Sequence, residues 1–168
     1  MAEDRQSRDG VDGAGQFRPP SGPVDRFFVR LIFAQRNRLF GRLIRQFLKL
    51  RGIDIQARSL QPGTGLILRH SGNVVVHGMT KIGRNVMLHQ GVTVGRSDIW
   101  REPDPTFDGF VLEDNVILGA NAVVTSSKGQ LVVGEGTVVG ANSVLTRSTG
   151  RWEIWAGVPA VKIGERRD

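Results

Sequence analysis

The chain has 168 residues, no cysteine and 22 glycines, and its formal net charge is +7. This length allows one domain with a modest core, and the missing cysteines exclude a disulfide framework, a thiolate metal site and a cysteine nucleophile. The positive charge is concentrated between Arg26 and Arg51 instead of being spread along the chain, which argues against a nucleic-acid-binding protein.

The sequence shows no feature that would direct it into or across a membrane. None of its apolar stretches is long enough to span a bilayer. The first residues, MAEDRQSRDGVDGAG, lack the basic start and the apolar stretch of a signal peptide. We therefore expect a cytoplasmic protein.

The N-terminal part of the chain divides into a polar tail and a basic helical segment. Residues 1–23 are rich in Asp, Arg, Gly and Pro and are predicted to be disordered. Residues 24–52 are basic, and their apolar spacing predicts an amphipathic helix with a kink or break at Gly41. Such a helix lies on an anionic membrane surface or packs on the protein or a neighbouring subunit, and packing is the favoured interpretation. The apolar face comprises Phe27, Leu31, Phe40, Leu43, Ile44, Phe47 and Leu48.

Large aliphatic residues then recur at every sixth position, which predicts a three-sided coil. A chain that turns a corner every six residues makes one triangular coil from three short strands, and the coils stack about 4.8 Å apart into a prism. A β-sandwich of short alternating strands is the other interpretation, but a period of two does not select every sixth residue. The aliphatic series are Val76, Ile82, Leu88 and Val94; Leu112, Leu118 and Val124; and Val133, Val139 and Leu145.

Two further sets of residues fit the same repeat. The position four residues after each large aliphatic one is small or β-branched and is predicted to fill a second inward site. These residues are Thr80, Val86, Val92, Val116, Ala122, Thr137 and Ser143. Between them stand residues that tolerate the positive φ of tight corners: Gly83, Asn85, Asp114, Asn115, Gly119, Asn121, Gly134, Gly136, Gly140 and Asn142.

The predicted prism covers residues 53–168 and is interrupted twice. Residues 95–111 are polar and Pro-rich, which predicts a projecting loop of the kind that often carries function. A smaller insertion lies at 126–130. From Arg147 the chain is predicted to leave the prism as a C-terminal tail.

Five runs within residues 53–164 resemble the hexapeptide-repeat acyltransferases, and most of all their serine acetyltransferase branch and its sugar O-acetyltransferase relatives. The runs are GLILRHSGNVVV, KIGRNVMLHQGVTVG, VILGANAVV, TVVGANSVL and AGVPAVKIG. The resemblance implies a mainly β protein whose prism is a left-handed parallel β-helix, preceded by a short helical segment. It also implies acetyl-CoA as the acetyl donor and a homotrimer with active sites between adjacent subunits.

The resemblance assigns the catalytic roles to His70 and Asp54. His70 stands in the family's G-L-x-x-x-H-x-x-G run, and an imidazole suits removal of the proton from an acceptor hydroxyl. Asp54 lies about one coil earlier and matches the carboxylate that orients the imidazole. One more residue separates the pair here than is usual in the family.

Acetyl-CoA binding is likewise assigned by motif. The donor lies in a groove between two prisms, where small corner residues let it approach the backbone, and a backbone N–H after GVTV could stabilise an oxyanion. The matching positions are Gly95, Arg96, Ala120, Ala141, Gly157, Pro159 and Ala160.

No metal site is predicted. The gamma-class carbonic anhydrases share the prism and bind zinc, but the spacing of His70, His77 and His89 does not match their ligands. We interpret His77 and His89 as surface or interface residues.

The acceptor-binding positions depart from the serine acetyltransferases. Arg69 stands where that branch has Asp, and Phe107 and Asp108 stand where it has an Arg-His pair. Free serine needs a carboxylate for its ammonium and a cation for its carboxylate, and these exchanges reverse that arrangement. We therefore expect an O-acetyltransferase that acts on a sugar or another small hydroxyl compound. The alternatives are a serine O-acetyltransferase in cysteine biosynthesis and a non-catalytic β-helix that serves assembly or binding.

Overall fold

The computed structural model describes residues 22–60 and 65–166. Most of the predicted disordered tail, residues 1–23, therefore lies outside the described residues. The described residues form two α-helices and fourteen short strands, with one turn of 3-10 helix (Ala57–Ser59) between the first two strands.

The strands form three separate sheets, which are the three faces of one prism. Face one stacks β1 (Ile53–Asp54), β3 (Val74–Val76), β6 (Thr93–Arg96), β9 (Val123–Ser126) and β12 (Val144–Leu145). Face two stacks β4 (Thr80–Ile82), β7 (Gly109–Leu112) and β10 (Gln130–Val133). Face three stacks β2 (Ile67–Arg69), β5 (Met87–His89), β8 (Ile117–Leu118), β11 (Val138–Val139), β13 (Glu153–Gly157) and β14 (Ala160–Glu165). All neighbours are parallel except β13 and β14, so the β-sandwich interpretation is wrong and the β-helix is confirmed.

The six-residue period is confirmed as the pattern of the core. All ten residues of the aliphatic series are buried, with at most 3% of each exposed. The seven residues of the second inward set are buried as well, including the polar Thr80, Thr137 and Ser143. The interior of the prism is therefore lined by two side chains from each repeat.

The corner residues serve two different purposes. Asn85, Asn115, Asn121 and Asn142 have φ between 55° and 62°, as the sequence predicts. Gly119 is different, because it does not have a positive φ. A Cβ on this glycine would lie only 2.7 Å from the backbone nitrogen of Ala141 in the next coil, so glycine is needed there for close stacking.

The loop and the tail differ from their predicted bounds. The loop is shorter than 95–111, because β6 continues to Arg96 and β7 begins at Gly109, and both strands pair with the next coil. The tail does not leave the prism at Arg147, because β13 adds a further strand to face three beside β11. Trp155 in β13 is buried and closes the end of the core, and β14 folds back against β13.

Two helices cover the first coil. Helix α1 (Pro23–Ala34) contacts β2, and helix α2 (Gly41–Leu50) contacts β1. They are separated at the predicted break, where Gly41 lies too close to the carbonyl of Gln35 to carry a side chain. Within the described residues, no helix has the length and apolarity needed to cross a bilayer.

The packing face of these helices differs from the predicted one. Phe28, Ile32 and Leu48 are the buried large apolar residues of the two helices. Of the seven residues in the predicted apolar face, Leu48 alone is buried, and Phe27, Phe40, Leu43 and Phe47 are exposed. The helical spacing identified a continuous stripe, but the short α2 turns only one side toward β1.

Candidate active site

The corner between face three and the next strand of face one forms a continuous edge, which we call the His70 edge. It stacks residues 70–73, 90–92, 119–122 and 140–143 through backbone hydrogen bonds between coils. Gly91 donates to Gly72 (3.0 Å), Asn121 to Gln90 (2.9 Å) and Asn142 to Ala120 (2.9 Å). His70, Ala120 and Ala141 therefore lie in one column along the prism.

His70 is exposed and follows β2 directly. Its φ is 54°, in the left-handed region that only a few per cent of non-glycine residues adopt. Asn73 in the same turn has φ 53°, whereas Ala120 and Ala141, which align with His70 in later coils, are not among the residues with positive φ. The positive φ of His70 is therefore particular to this coil, and an unfavourable backbone conformation of this kind is typical of a functional position.

Asp25 holds the turn that carries His70, although it is not among the predicted site residues. Its Oδ1 accepts hydrogen bonds from the Ser71 backbone N–H (2.9 Å) and hydroxyl (2.6 Å). Burial raises the pKa of Asp25, but hydrogen bonds from Ser71, the His70 backbone and the Gly22 backbone outweigh it and hold the pKa below its ordinary value of 3.8. A carboxylate in the first turn that reaches back to the N-cap residue is half of a capping box, and this was the local signal available in the sequence.

Asp54 points outward from β1, and α2 supplies its partners. Its carboxylate lies 3.2 Å from Lys49 Nζ and 3.7 Å from Arg45 Nη2. Its neighbour across the ladder is Val75, in the strand that follows the His70 turn. Among the described contacts Asp54 has no hydrogen bond to His70, so an orienting role for this carboxylate stays a prediction.

Arg69 and His89 lie side by side on the outer surface of face three, next to His70. They are register partners in β2 and β5. Burial, the charge of Arg69 and the charge of His70 lower the pKa of His89, in that order of size. This end of face three therefore has a cationic character, contributed by Arg69.

A second edge, where face one turns into face two, carries Gly95 and Arg96; we call it the Arg96 edge. A Cβ added to Gly95 would meet no atom within 4 Å, so this position opens to solvent. The Arg96 side chain, in contrast, is held by hydrogen bonds to the projecting loop. Its Nε donates to Asp98 Oδ1 at 2.9 Å, and its Nη2 donates to the Arg101 carbonyl at 3.1 Å. Asp98 is 1% exposed, and the hydrogen bond from Arg96 is the largest cause that lowers its pKa.

Asp98 was not predicted to matter, and it fixes the start of the projecting loop. The end of the loop is fixed by aromatic packing, with the ring of Phe107 5.5 Å from His77 and 5.6 Å from Phe110. Asp108 follows and accepts a hydrogen bond from Gln130 Nε2 at 3.1 Å. Both ends of the loop are thus attached to the Arg96 edge.

The tail residues return the chain to the His70 edge. The backbone N–H of Gly157 donates to the hydroxyl of Ser143 at 3.1 Å. Gly157 and Pro159 are exposed, whereas Ala160 is fully buried. Because the side chain of Ala160 is buried, a contact between Ala160 and a ligand would have to involve backbone atoms.

The predicted site residues thus fall into two groups within one protomer. His70, Ala120, Ala141 and Gly157 lie on the His70 edge, and Gly95, Arg96 and Asp108 lie on the Arg96 edge. Face one separates the edges by the length of a strand such as β6, four residues or roughly 13 Å. Residues 22–60 and 65–166 contain no group of three or more His, Cys, Asp or Glu that could hold a metal ion.

Solved structures that resemble this one include several serine acetyltransferases. The serine acetyltransferase of Brucella abortus strain S19 has 27% sequence identity and a TM-score of 0.64, with 81% of this chain and 52% of that chain covered. The same enzyme in complex with coenzyme A has 26% identity and a TM-score of 0.66, with 84% and 55% covered. The soybean serine acetyltransferase apoenzyme has 27% identity and a TM-score of 0.60, with 79% and 52% covered.

These matches concern about half the length of each solved structure. No protein-family model and no curated protein sequence matches the chain. The chain therefore has the left-handed β-helix of the serine acetyltransferases, and the resemblance to the hexapeptide-repeat acyltransferases is confirmed at the level of the fold.

Proposed function

We propose that the protein is an acetyl-CoA-dependent O-acetyltransferase with His70 as its general base. The observation that carries this proposal is the column in which an exposed imidazole shares one edge with the small residues Ala120 and Ala141. A chain of the same fold, 26% identical, is a serine acetyltransferase in complex with coenzyme A. The edge combines a base for the acceptor with a surface that a long ligand can approach closely.

The residues present fit an extended thioester ligand. Ala120, Ala141 and Gly157 leave the backbone of the His70 edge accessible, and Gly95 leaves that of the Arg96 edge accessible. A pantetheine arm presents amides that pair with backbone groups at such corners. Acetyl-CoA supplies an acetyl group activated as a thioester, and the residues of the protein bind and orient that thioester.

The protein has to accept a proton during the nucleophilic attack and return it when the thiol leaves. His70 accepts the proton of the acceptor hydroxyl as the hydroxyl oxygen bonds to the acetyl carbon. The bond from that carbon to sulfur then breaks, and the proton passes from the imidazolium to the departing sulfur. The products are an acetyl ester and free coenzyme A thiol.

A complete site needs two protomers. Gly95 and Asp108 lie a full face away from His70 in the same chain, so they can join it only if the Arg96 edge of one protomer faces the His70 edge of another. Three such contacts close a ring. We therefore propose a homotrimer, with one site at each of its three contacts.

The acceptor we propose is a hydroxyl of a sugar or another small molecule. Arg69 adjoins His70 and gives this end of the site a cation, which suits a neutral or anionic acceptor better than an ammonium. Serine remains the second candidate, because the solved structures named above are serine acetyltransferases. Asp108 of an adjacent protomer would then receive the ammonium.

The location we propose for the protein is the cytoplasm, because the acetyl donor is an intracellular metabolite.

An acceptor screen tests the activity. Thiol release from acetyl-CoA is followed with serine, homoserine and a panel of sugars, and the same screen is run with His70→Asn. We expect one acceptor class to stimulate thiol release and His70→Asn to lower it by roughly 100-fold or more, with coenzyme A binding and oligomeric state retained. Unchanged turnover in His70→Asn would reject the base. Coenzyme A binding without turnover for any acceptor would favour the non-catalytic module.

A further inference from the structure

We propose that the helical hairpin formed by α1 and α2 docks on an anionic membrane surface. This inference is independent of the proposed acetyltransferase activity. It concerns the apolar residues that packing on the prism leaves uncovered, together with the charge that surrounds them.

The hairpin exposes an unusual number of large apolar side chains. Leu39 is 82% exposed, Leu43 67% and Leu50 86%, values expected of lysine and not of leucine in a folded domain. The complete exposed set in the hairpin is Val24, Phe27, Leu39, Phe40, Leu43, Phe47 and Leu50. A contiguous apolar surface with a polar rim marks an interaction site.

Helix α2 arranges these side chains as a membrane-surface helix does. Leu43, Phe47 and Leu50 follow one another at i, i+4 and i+7 and therefore share one face. Arg42 and Lys49, seven residues apart, lie on the flank between that face and the prism. Helices that lie in the interface plane combine Phe and Leu on one side with Lys and Arg on the other.

The net charge of the protein resides entirely in this hairpin. Residues 25–51 hold eight Lys or Arg residues and one acidic residue, Asp25, which gives +7. The remaining residues hold fifteen of each sign and are neutral. An anionic lipid surface attracts juxtaposed cations with about 1 kcal/mol for each Lys or Arg near it.

This charge decides which occupant the surface fits. A second copy of the hairpin would bring another +7 against the first, so self-association through this face is opposed. A nucleic acid would neutralise the cations but leave Leu43, Phe47 and Leu50 in water. A bilayer surface with anionic headgroups accepts both the cations and the apolar side chains. Helices of 12 and 10 residues are too short to span it, so they lie on it.

Vesicle co-sedimentation of the full chain tests the proposal. The probes are phosphatidylcholine vesicles with and without 30% phosphatidylglycerol, at low and raised salt. Leu43→Ser with Leu50→Ser removes apolar contacts, and its matched control is Ile99→Ser with Ile163→Ser, two exposed residues elsewhere. Arg30→Glu with Arg42→Glu reverses charge, and its matched control is Lys81→Glu with Lys128→Glu.

We expect binding only with phosphatidylglycerol, and about tenfold or greater loss of apparent affinity for each hairpin pair but not for its control. Absence of binding at low salt would overturn the proposal. So would full binding of the Leu43/Leu50 pair, since charge alone would then explain the attraction. A change of oligomeric state in that pair, without vesicle binding, would assign the face to a second copy and also overturn it.

Discussion

At the scale of single residues, the turn at His70 combines an unfavourable backbone conformation with a carboxylate that holds it in place. His70 adopts φ 54°, and Asp25 accepts hydrogen bonds from the next residue's backbone and hydroxyl. The imidazole itself stays exposed, so the fixed element is its backbone. The imidazole ring can therefore reach a ligand, while the backbone atoms that carry it stay in a fixed position.

The backbone conformation predicts different stabilities for two substitutions of His70. His70→Asn should fold with nearly the stability of the parent, because Asn tolerates the left-handed region and Asn73 already adopts it in the same turn. His70→Ala should lose about 1 kcal/mol more of the free energy of unfolding. Urea unfolding of the two variants measures the difference, and equal stabilities would contradict a strained corner.

The hydrogen bonds of Asp25 predict a dependence of stability on pH. The folded pKa is below 3.8, so the ionised form stabilises the protein fully above that value and the contribution is lost as the pH falls through the folded pKa. Asp25→Asn should cost about 1 kcal/mol at pH 7. Its difference from the parent in urea unfolding should shrink between pH 4.5 and pH 3, and a difference that is independent of pH would refute the assignment.

At the scale of elements, the predicted site residues lie on the edges of the prism, and the inward residues of the faces form its core. The inward residues could be predicted because the period of six imposes the same burial in every coil. The contacts of Asp25 with Ser71 and of Asp98 with Arg96 could not be predicted, because the partners lie 46 and two residues away and neither spacing belongs to a repeat. The strand β13 was missed for a related reason, since its six-residue pattern is incomplete and Trp155 replaces the usual aliphatic residue.

The open space beside Gly95 predicts a selective loss of function. Gly95→Leu should fold normally, because its Cβ meets no atom within 4 Å and its φ is not positive. The side chain should nevertheless obstruct the groove and raise the KM for acetyl-CoA at least about tenfold. Gly164→Leu is the matched control, since that glycine in β14 also has free space. Unfolding curves check the fold, and an unaltered KM in Gly95→Leu would remove this edge from the donor site.

At the scale of the whole molecule, one protomer carries the predicted site residues on two separate edges. The separation of the His70 edge from the Arg96 edge follows from the prism itself, because any strand of face one must lie between them. Family resemblance could select the candidate residues from the sequence. Which of them lie on the His70 edge and which on the Arg96 edge follows only from the geometry of the coils.

Mixed oligomers test whether the halves meet between chains. Solution mass measurement should give three times the 18.4 kDa chain mass. At an acetyl-CoA concentration well below the KM of Gly95→Leu, both His70→Asn and Gly95→Leu should be impaired alone. They should regain activity when unfolded together and refolded, because some contacts then pair two intact edges. Activity no higher than that of the separate variants would place both halves of the site in one chain.

Both ends of the prism are closed, and this determines how copies can associate. Helices α1 and α2 lie against the first coil, while β14 runs against the direction of its neighbours and carries Lys162 and Glu165 as an ion pair. A solenoid with bare terminal coils would invite end-to-end polymerisation, and reversed, charged terminal strands are how proteins prevent it. Growth along the axis is thereby blocked, so copies of this chain are left to meet side by side.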